Sequence, residues 1–350
     1  MMNMQKARSF VKTYLNYLVI GALLLVFALL SLTGNMSSGN LYLLEKIAIA
    51  IVLAISLSMV VGFLGELSLG HAGFMCVGAY VGGKISVLLV EALGNGILAV
   101  ALSLLVGGIA AALFGVIIGL PALRLRGDYL AIVTLAFGEI VRTLVMNLPE
   151  TLFGGTLGLE SPRYDKKHLF IVGFVCVLLC LAVIQNLIKS KHGRAIKSIR
   201  DNEIAARTMG IDITRYKLFV FTVSSFFAGV AGVLYSYSNY RIQSANFDYN
   251  YSIEILVMVV LGGMGSINGS MVAAALITFL NVKLQTLLTG DLAVLQNLLY
   301  AAILIVIVIY KNAPGLKGFR ERYNLKTLIQ RLSGKKQLPE AAEESGKEDA

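Results

Sequence analysis

The chain has 350 residues, of which 57% are hydrophobic and only 14% charged, and its formal net charge is +10. Soluble domains usually carry about 25% charged residues, so this composition excludes a water-soluble core and makes lipid the solvent. The Lys and Arg residues gather in a few loops and at both ends, the positive-inside pattern, which points to anchoring on an anionic leaflet and away from nucleic acid.

A helix needs about 20 apolar residues to cross the hydrocarbon. In chain order, apolar runs predict spans near 14–33, 46–65, 67–90, 97–120, 129–148, 169–188, 216–237, 250–264, 268–289 and 293–311. The expected fold is an all-α integral membrane protein with about ten transmembrane helices, some broken or re-entrant. The first run is longer than the apolar region of a signal peptide (about 7–15 residues) and ends in SLTGNMSS, so it reads as an uncleaved span. Residues 1–13, with Lys6, Arg8 and Lys12, form a cytoplasmic N-terminus. Arg124 and Arg126, then Lys189, Lys191, Arg194, Lys197, Arg200, Arg207 and Arg215, then Lys311, Lys317, Arg320, Arg322 and Lys326 fall on the same side if ten spans alternate. Both termini are then cytoplasmic, with Arg163, Lys166 and Lys167 as the discordant group. The permease domain spans 14–311. The tail at 312–350 is too polar to bury a core and reads as disordered.

Two spans read as irregular. Glu66–Lys84, ELSLGHAGFMCVGAYVGGK, is rich in glycine and polar groups, and in Ser252–Gly269, SIEILVMVVLGGMGSING, the unbroken apolar part is shorter than a bilayer. Backbone that leaves the helix at membrane depth is tolerated only inside protein or beside a water-filled cavity, and often lines transport sites. Close helix packing through small residues accounts for the glycines equally well. The GxxxG pairs Gly78–Gly82 and Gly115–Gly119 suit such packing.

The charged interruption between the sixth and seventh spans, Lys189–Lys217, carries two stretches with helical character. Ile196 and Ile199 share one face, and Ala205, Ala206 and Met209 form a second apolar patch. Asp201 is a suitable N-cap for the second stretch, Gly210 suits a left-handed stop followed by Ile211, and Thr214 can cap the next span. A helical knuckle of this kind fits a groove in a soluble partner or lies on lipid. Its Asp201 and Glu203 argue mildly against lipid.

The chain has no phosphate-cradling GxxxxGK[ST] motif, so it is not expected to use ATP itself. His71, His168 and His192 form no metal-ligand spacing, and Cys76, Cys176 and Cys180 all lie in apolar runs. No catalytic set suggests an enzyme, and neither a cofactor nor a metal is expected. His71, near Glu66 and Ser68, is either a functional polar group at depth or a helix-to-helix hydrogen bond. Glu139 and Arg142 can pair on one helix face, Glu254 opens the short eighth span, and Lys283 can snorkel.

Four blocks resemble the branched-chain amino acid ABC transporter permeases, on the LivM branch of the LivH/LivM family: Gly65–Tyr80 (GELSLGHAGFMCVGAY), Leu120–Arg142 (LPALRLRGDYLAIVTLAFGEIVR), Gly193–Tyr235 and Met258–Gly269 (MVVLGGMGSING). The second and third blocks are the most specific. The resemblance implies that loop 189–215 is the segment that meets the ATPase, with Arg194, Arg200, Asp201, Glu203, Ala205, Ala206 and Gly210 at the contact. It implies a translocation pathway near Glu66, Ser68, Gly70, His71, Glu139, Glu254, Gly262, Gly263 and Gly265. The partners implied are a LivH-like sister permease, two ATPase subunits that use the ATP, and an extracytoplasmic binding protein. The substrates implied are leucine, isoleucine and valine, across a bacterial or archaeal cell membrane. Glu66 stands where relatives often have Gln, and the glycine block continues Asn268-Gly269-Ser270-Met271 where relatives often read a Gly-Pro pair. Related permeases carry urea and other small solutes. The contrasting expectation is a self-sufficient channel or secondary transporter, which would need Glu66, Glu139 or Glu254 as ion-coupling groups.

Overall fold

Helix α1 (Ser38–Ser58) starts where the Ser37 hydroxyl accepts a hydrogen bond from Gly39 N at 3.4 Å. It is apolar all round and accordingly buried along most of its length. It tightens into a π-helical turn, Met59–Leu64, and stops at Gly65, whose φ of +80° only glycine adopts without strain. The computed structural model describes residues 37–288 except 95, 126 and 163 and the side chains of 166 and 167, with isolated helical positions between 17 and 27 and between 298 and 309. Residues up to Leu287 form one unit, which holds every element that positions the site; residues from Leu288 form a second.

After a non-helical segment at 65–70 come α2 (His71–Leu93), α3 (Ile97–Ala122), α4 (Asp128–Asn147), the single turn α5 (Glu150–Phe153), β1 (Leu159–Glu160) and α6 (Lys166–Lys189). The interhelical loop supplies α7 (Lys191–Asp201) and α8 (Glu203–Thr208). Then follow α9 (Ile213–Ser238), β2 (Arg241–Ile242), α10 (Tyr249–Gly262) and α11 (Ile267–Leu287). Strands β1 and β2 pair antiparallel, with Leu159 opposite Ile242 and Glu160 opposite Arg241.

Among the described residues, seven helices are long and apolar enough to cross a membrane, and α10 is a shorter apolar helix. Each of the eight expected spans from 46–65 to 268–289 has its helix. The first and tenth, and the 312–350 tail, fall wholly or mostly outside the described residues. The irregularity expected across Glu66–Lys84 is confined to 65–70, since 71–84 is regular helix, and the eighth span breaks only at 263–266.

The reason is packing. A Cβ on Gly78 would lie 2.2 Å from Gly229 O, and one on Gly232 would lie 2.1 Å from Met75 O, so the α2 and α9 backbones touch. Gly107 of α3 closes on Val233, and Gly115 and Gly119 close on Ser225 and Leu218 of α9. With no hydrophobic drive between helices in lipid, such backbone approach gives the dispersion contacts that hold them together. Cys76, Cys176 and Cys180 are free and buried. Away from it, Leu98, Leu102, Leu105, Ile109, Leu113 and Ile117 run along the exposed face of α3, an apolar stripe suited to lipid contact.

Candidate functional site

The loop between α6 and α9 folds as a compact knuckle. The Ser190 hydroxyl caps α7, accepting from His192 N at 3.1 Å and Gly193 N at 3.4 Å. Ile196 and Ile199 are both buried, as their shared face predicts. Asn202, not Asp201, caps α8: its extended backbone aims the side-chain oxygen at Ala205 N, 3.0 Å away. The Asp201 carboxylate instead accepts from the Arg200 guanidinium at 2.8 Å. Gly210, at φ +80°, makes the expected left-handed stop, and Ile211 N donates back to Ala206 O at 3.1 Å. Asp212, not Thr214, caps α9 by accepting from Arg215 N at 3.1 Å.

The expected patch of Ala205, Ala206 and Met209 is divided. Ala206 turns inward while Ala205 is exposed, and the outward apolar groups are Met209 (83% exposed) and Ile204 (73% exposed). Ile204 escaped the sequence reading; an isolated β-branched residue in a charged turn was its only signal. Arg194 lies exposed in the first turn of α7.

Two residues tie the knuckle to the broken helices. Arg200 Nη1 donates to Gly62 O at 3.2 Å, and its stem lies so close to Gly65 that a Cβ there would meet Arg200 Cγ at 2.6 Å. The second break lies alongside: a Cβ on Gly62 would be 2.5 Å from Gly265 N, and Gly263 and Gly265 both have positive φ. Gly262 is pressed against Gly269 and Ser270, which closes the α10–α11 hairpin. The second tie is Lys217, on the first turn of α9, which forms an ion pair with Glu66 and lies 3.4 Å from a Glu203 oxygen. Lys217 is 3% exposed, so its charge rests on these two carboxylates. Its sequence signal was slight, a single cation at the start of an apolar run.

Deeper in the bundle, two helix N-termini meet. Leu69 N donates to Thr134 Oγ1 and Ala72 N to Ser252 Oγ, each at 3.0 Å, which supplies partners near the start of α2. Glu139 accepts from Tyr249 N at 3.1 Å and from Arg142 at 2.8 Å, and Asp248 accepts from Tyr251 N at 3.0 Å, so two carboxylates face the positive end of α10. His71 is buried and 2.8 Å from the Ser56 hydroxyl, a helix-to-helix hydrogen bond. Ser68 is buried, and Gly70 is pressed onto Thr134 O. Glu254 stands apart from these, accepting from Asn281 at 3.1 Å.

The structure thus groups Glu66, Arg200, Asp201, Glu203, Gly263 and Gly265 at one end, and Ser68, Gly70, His71 and Glu139 deeper in. A multi-pass all-α bundle with helices broken inside it, and a helical loop fastened to the breaks, is the build of a solute-translocating membrane protein.

The family described as the branched-chain amino acid transport system permease component matches residues 39–308. The high-affinity branched-chain amino acid transport system permease protein LivM of Salmonella typhimurium is 34% identical over 322 residues, covering 83% of this chain and 73% of that protein. A probable LivH permease of Methanocaldococcus jannaschii is 32% identical over 46% of this chain and 47% of its own. The ribose import permease RbsC of Escherichia coli is 27% identical over 83% of this chain and 92% of its own. No solved structure matches the chain. The chain belongs to the branched-chain amino acid transport permease family.

Proposed function

We propose that this chain is the LivM-type permease subunit of an ABC importer for leucine, isoleucine and valine in a bacterial or archaeal cell membrane. The observation that carries this reading is the family match across 39–308, together with 34% identity to a LivM permease over 83% of this chain. A LivH-like sister permease, two ATPase subunits and an extracytoplasmic binding protein complete the assembly, and ATP is used only by the ATPases. Ten spans with both termini in the cytoplasm follow from the alternation of basic loops. The end that carries Arg200 and Glu203 then faces the ATPases.

In this reading Ile204 and Met209, with Ala205, Arg194 and Gly210 around them, form the surface that the ATPase grips. Movement of α7 and α8 pulls on Arg200 and on the Glu203–Lys217–Glu66 chain. It displaces the ends of α1 and α10 at Gly62–Glu66 and Gly262–Gly265, whose left-handed glycines absorb the backbone change. Ser68, Gly70, His71 and Glu139 transmit this shift at depth, and the solute passes beside the broken helices and Glu254, at the boundary with the sister permease.

The test is uptake of labelled leucine, isoleucine and valine by vesicles that hold the whole importer, with ATP inside and loaded binding protein outside. Wild type concentrates the amino acids only with ATP. Glu203→Lys and Gly210→Pro assemble normally and lose uptake. ATP-independent uphill uptake by this chain alone would overturn the proposal.

A further inference from the structure

A polar cavity of ≈ 400 Å³ lies between α1, α9, α10 and α11 and is not explained by the contacts to the knuckle. It is remote from them: Lys46 precedes Gly62 on one continuous helix by 16 residues, about 24 Å at 1.5 Å per residue. Its size falls within the roughly 300–1,000 Å³ typical of small-molecule sites.

One wall carries a cation. Lys46 Nζ donates to Asn239 Oδ1 at 3.3 Å and lies 3.9 Å from the centre of the Tyr235 ring. Those two neighbours are neutral and orient the ammonium, while the charged group that acts on it through space is the carboxylate of Glu45. The lining also carries an anion on α10, Glu254, which accepts from Asn281 at 3.1 Å. Ala50, Met258 and Val282 supply apolar lining. Ionisable groups that face the interior of a membrane bundle are costly and mark ligand or ion paths.

We propose that this cavity is a binding site for one zwitterionic aliphatic α-amino acid. Lys46 and the edge of Asn239 take the carboxylate, Glu254 takes the ammonium, and the side chain lies along Ala50, Met258 and Val282. A sugar or urea brings no charge to match either group. The inference rests on the importer reading, to which it adds a site inside the permease itself.

The experiment is equilibrium binding of labelled L-leucine to the purified permease–ATPase complex without its binding protein. Two half-ligands compete: 4-methylpentanoate, which lacks the ammonium, and 3-methylbutylamine, which lacks the carboxylate. Lys46→Met weakens leucine binding about tenfold or more, the scale of one charge-assisted contact, and abolishes competition by 4-methylpentanoate while sparing the amine. Glu254→Gln gives the reverse pattern. Lys46→Arg and Glu254→Asp keep the charges and restore binding, which separates ligand recognition from a folding defect. Wild-type affinity in both neutral variants, or no leucine binding by the wild-type complex, overturns the site. If wild type then still imports leucine with ATP, the importer reading stands without it. If wild type imports none of the three amino acids, both readings fall.

Discussion

The α2–α3–α9 core and the knuckle end are held by opposite means. In the core, glycine lets backbones touch, as at Gly78 against Gly229, and the contacts are short, apolar and without alternatives. At the knuckle end, the links are long side chains, Arg200 to Gly62 O and Lys217 between Glu66 and Glu203. Backbone packing has one arrangement and resists shear, because a close-packed interface is not continuously deformable. Ionic and hydrogen-bonded arms can lengthen or exchange partners. The ATPase-driven motion proposed above would use the first as a frame and the second as its moving joint.

Substitutions sharpen this contrast. The largest effect belongs to the frame: Gly78→Val places a Cβ 2.2 Å from a backbone oxygen that cannot swing away. It costs about 3 kcal/mol or more and removes folded protein from the membrane, as size-exclusion of detergent extracts would show. Normal yield would mean that α2 and α9 are not locked together.

Next comes the joint. Lys217→Met leaves Glu66 and Glu203 facing each other without their cation. Both carboxylates keep some water, so the cost is about 2 kcal/mol, below that of a fully buried pair. The fold persists while ATP-driven uptake is lost. Adding Glu66→Gln to Lys217→Met recovers part of the stability, and strict additivity of the two would rule out the link.

Arg200→Ala is expected to reduce uptake about tenfold, equivalent to one charge-assisted hydrogen bond, with little change in melting temperature. Asn202→Ala removes the α8 cap at about 1 kcal/mol. It shows first as faster hydrogen exchange in 203–208, whereas Asp201→Ala leaves exchange there unchanged.

The smallest effect lies on the opposite side. The Arg241 guanidinium, and then the Tyr240 hydroxyl, hold the Glu160 carboxyl below its usual range by hydrogen bonding. A carboxylate shifted down stabilises the fold above its unfolded pKa, about 4.3, and that contribution is lost as pH falls through the lower folded value. Wild type therefore loses a slight advantage over Glu160→Gln in acid melts, and parallel melting curves would show that β1–β2 is indifferent to the pair.

Much of the frame was legible in the sequence because hydrophobic length and GxxxG spacing are local signals. The spans from 46–65 to 268–289, the paired Ile196 and Ile199, the Gly210 stop and the Glu139–Arg142 pair needed only neighbours along the chain. The errors were of a different kind. Asp201 and Asn202 are adjacent and both suit an N-cap; the choice fell to Asn202 because Arg200 claims the Asp201 carboxylate. The sequence reading gave no role to Lys217 or Lys46, since Glu66 lies 151 residues from Lys217 and Asn239 lies 193 residues from Lys46.

By itself, then, the sequence determined that the chain lives in lipid, which segments are helical and where glycine interrupts them, because bilayer thickness and backbone hydrogen bonding constrain each segment separately; the family rests instead on the matching blocks of residues. Only the tertiary structure decided that the two breaks adjoin, that Arg200 and Lys217 clasp them, and that Lys46 and Glu254 line one cavity. Those facts depend on which helix faces come together, and close packing of glycine on glycine settles that in space, not along the chain.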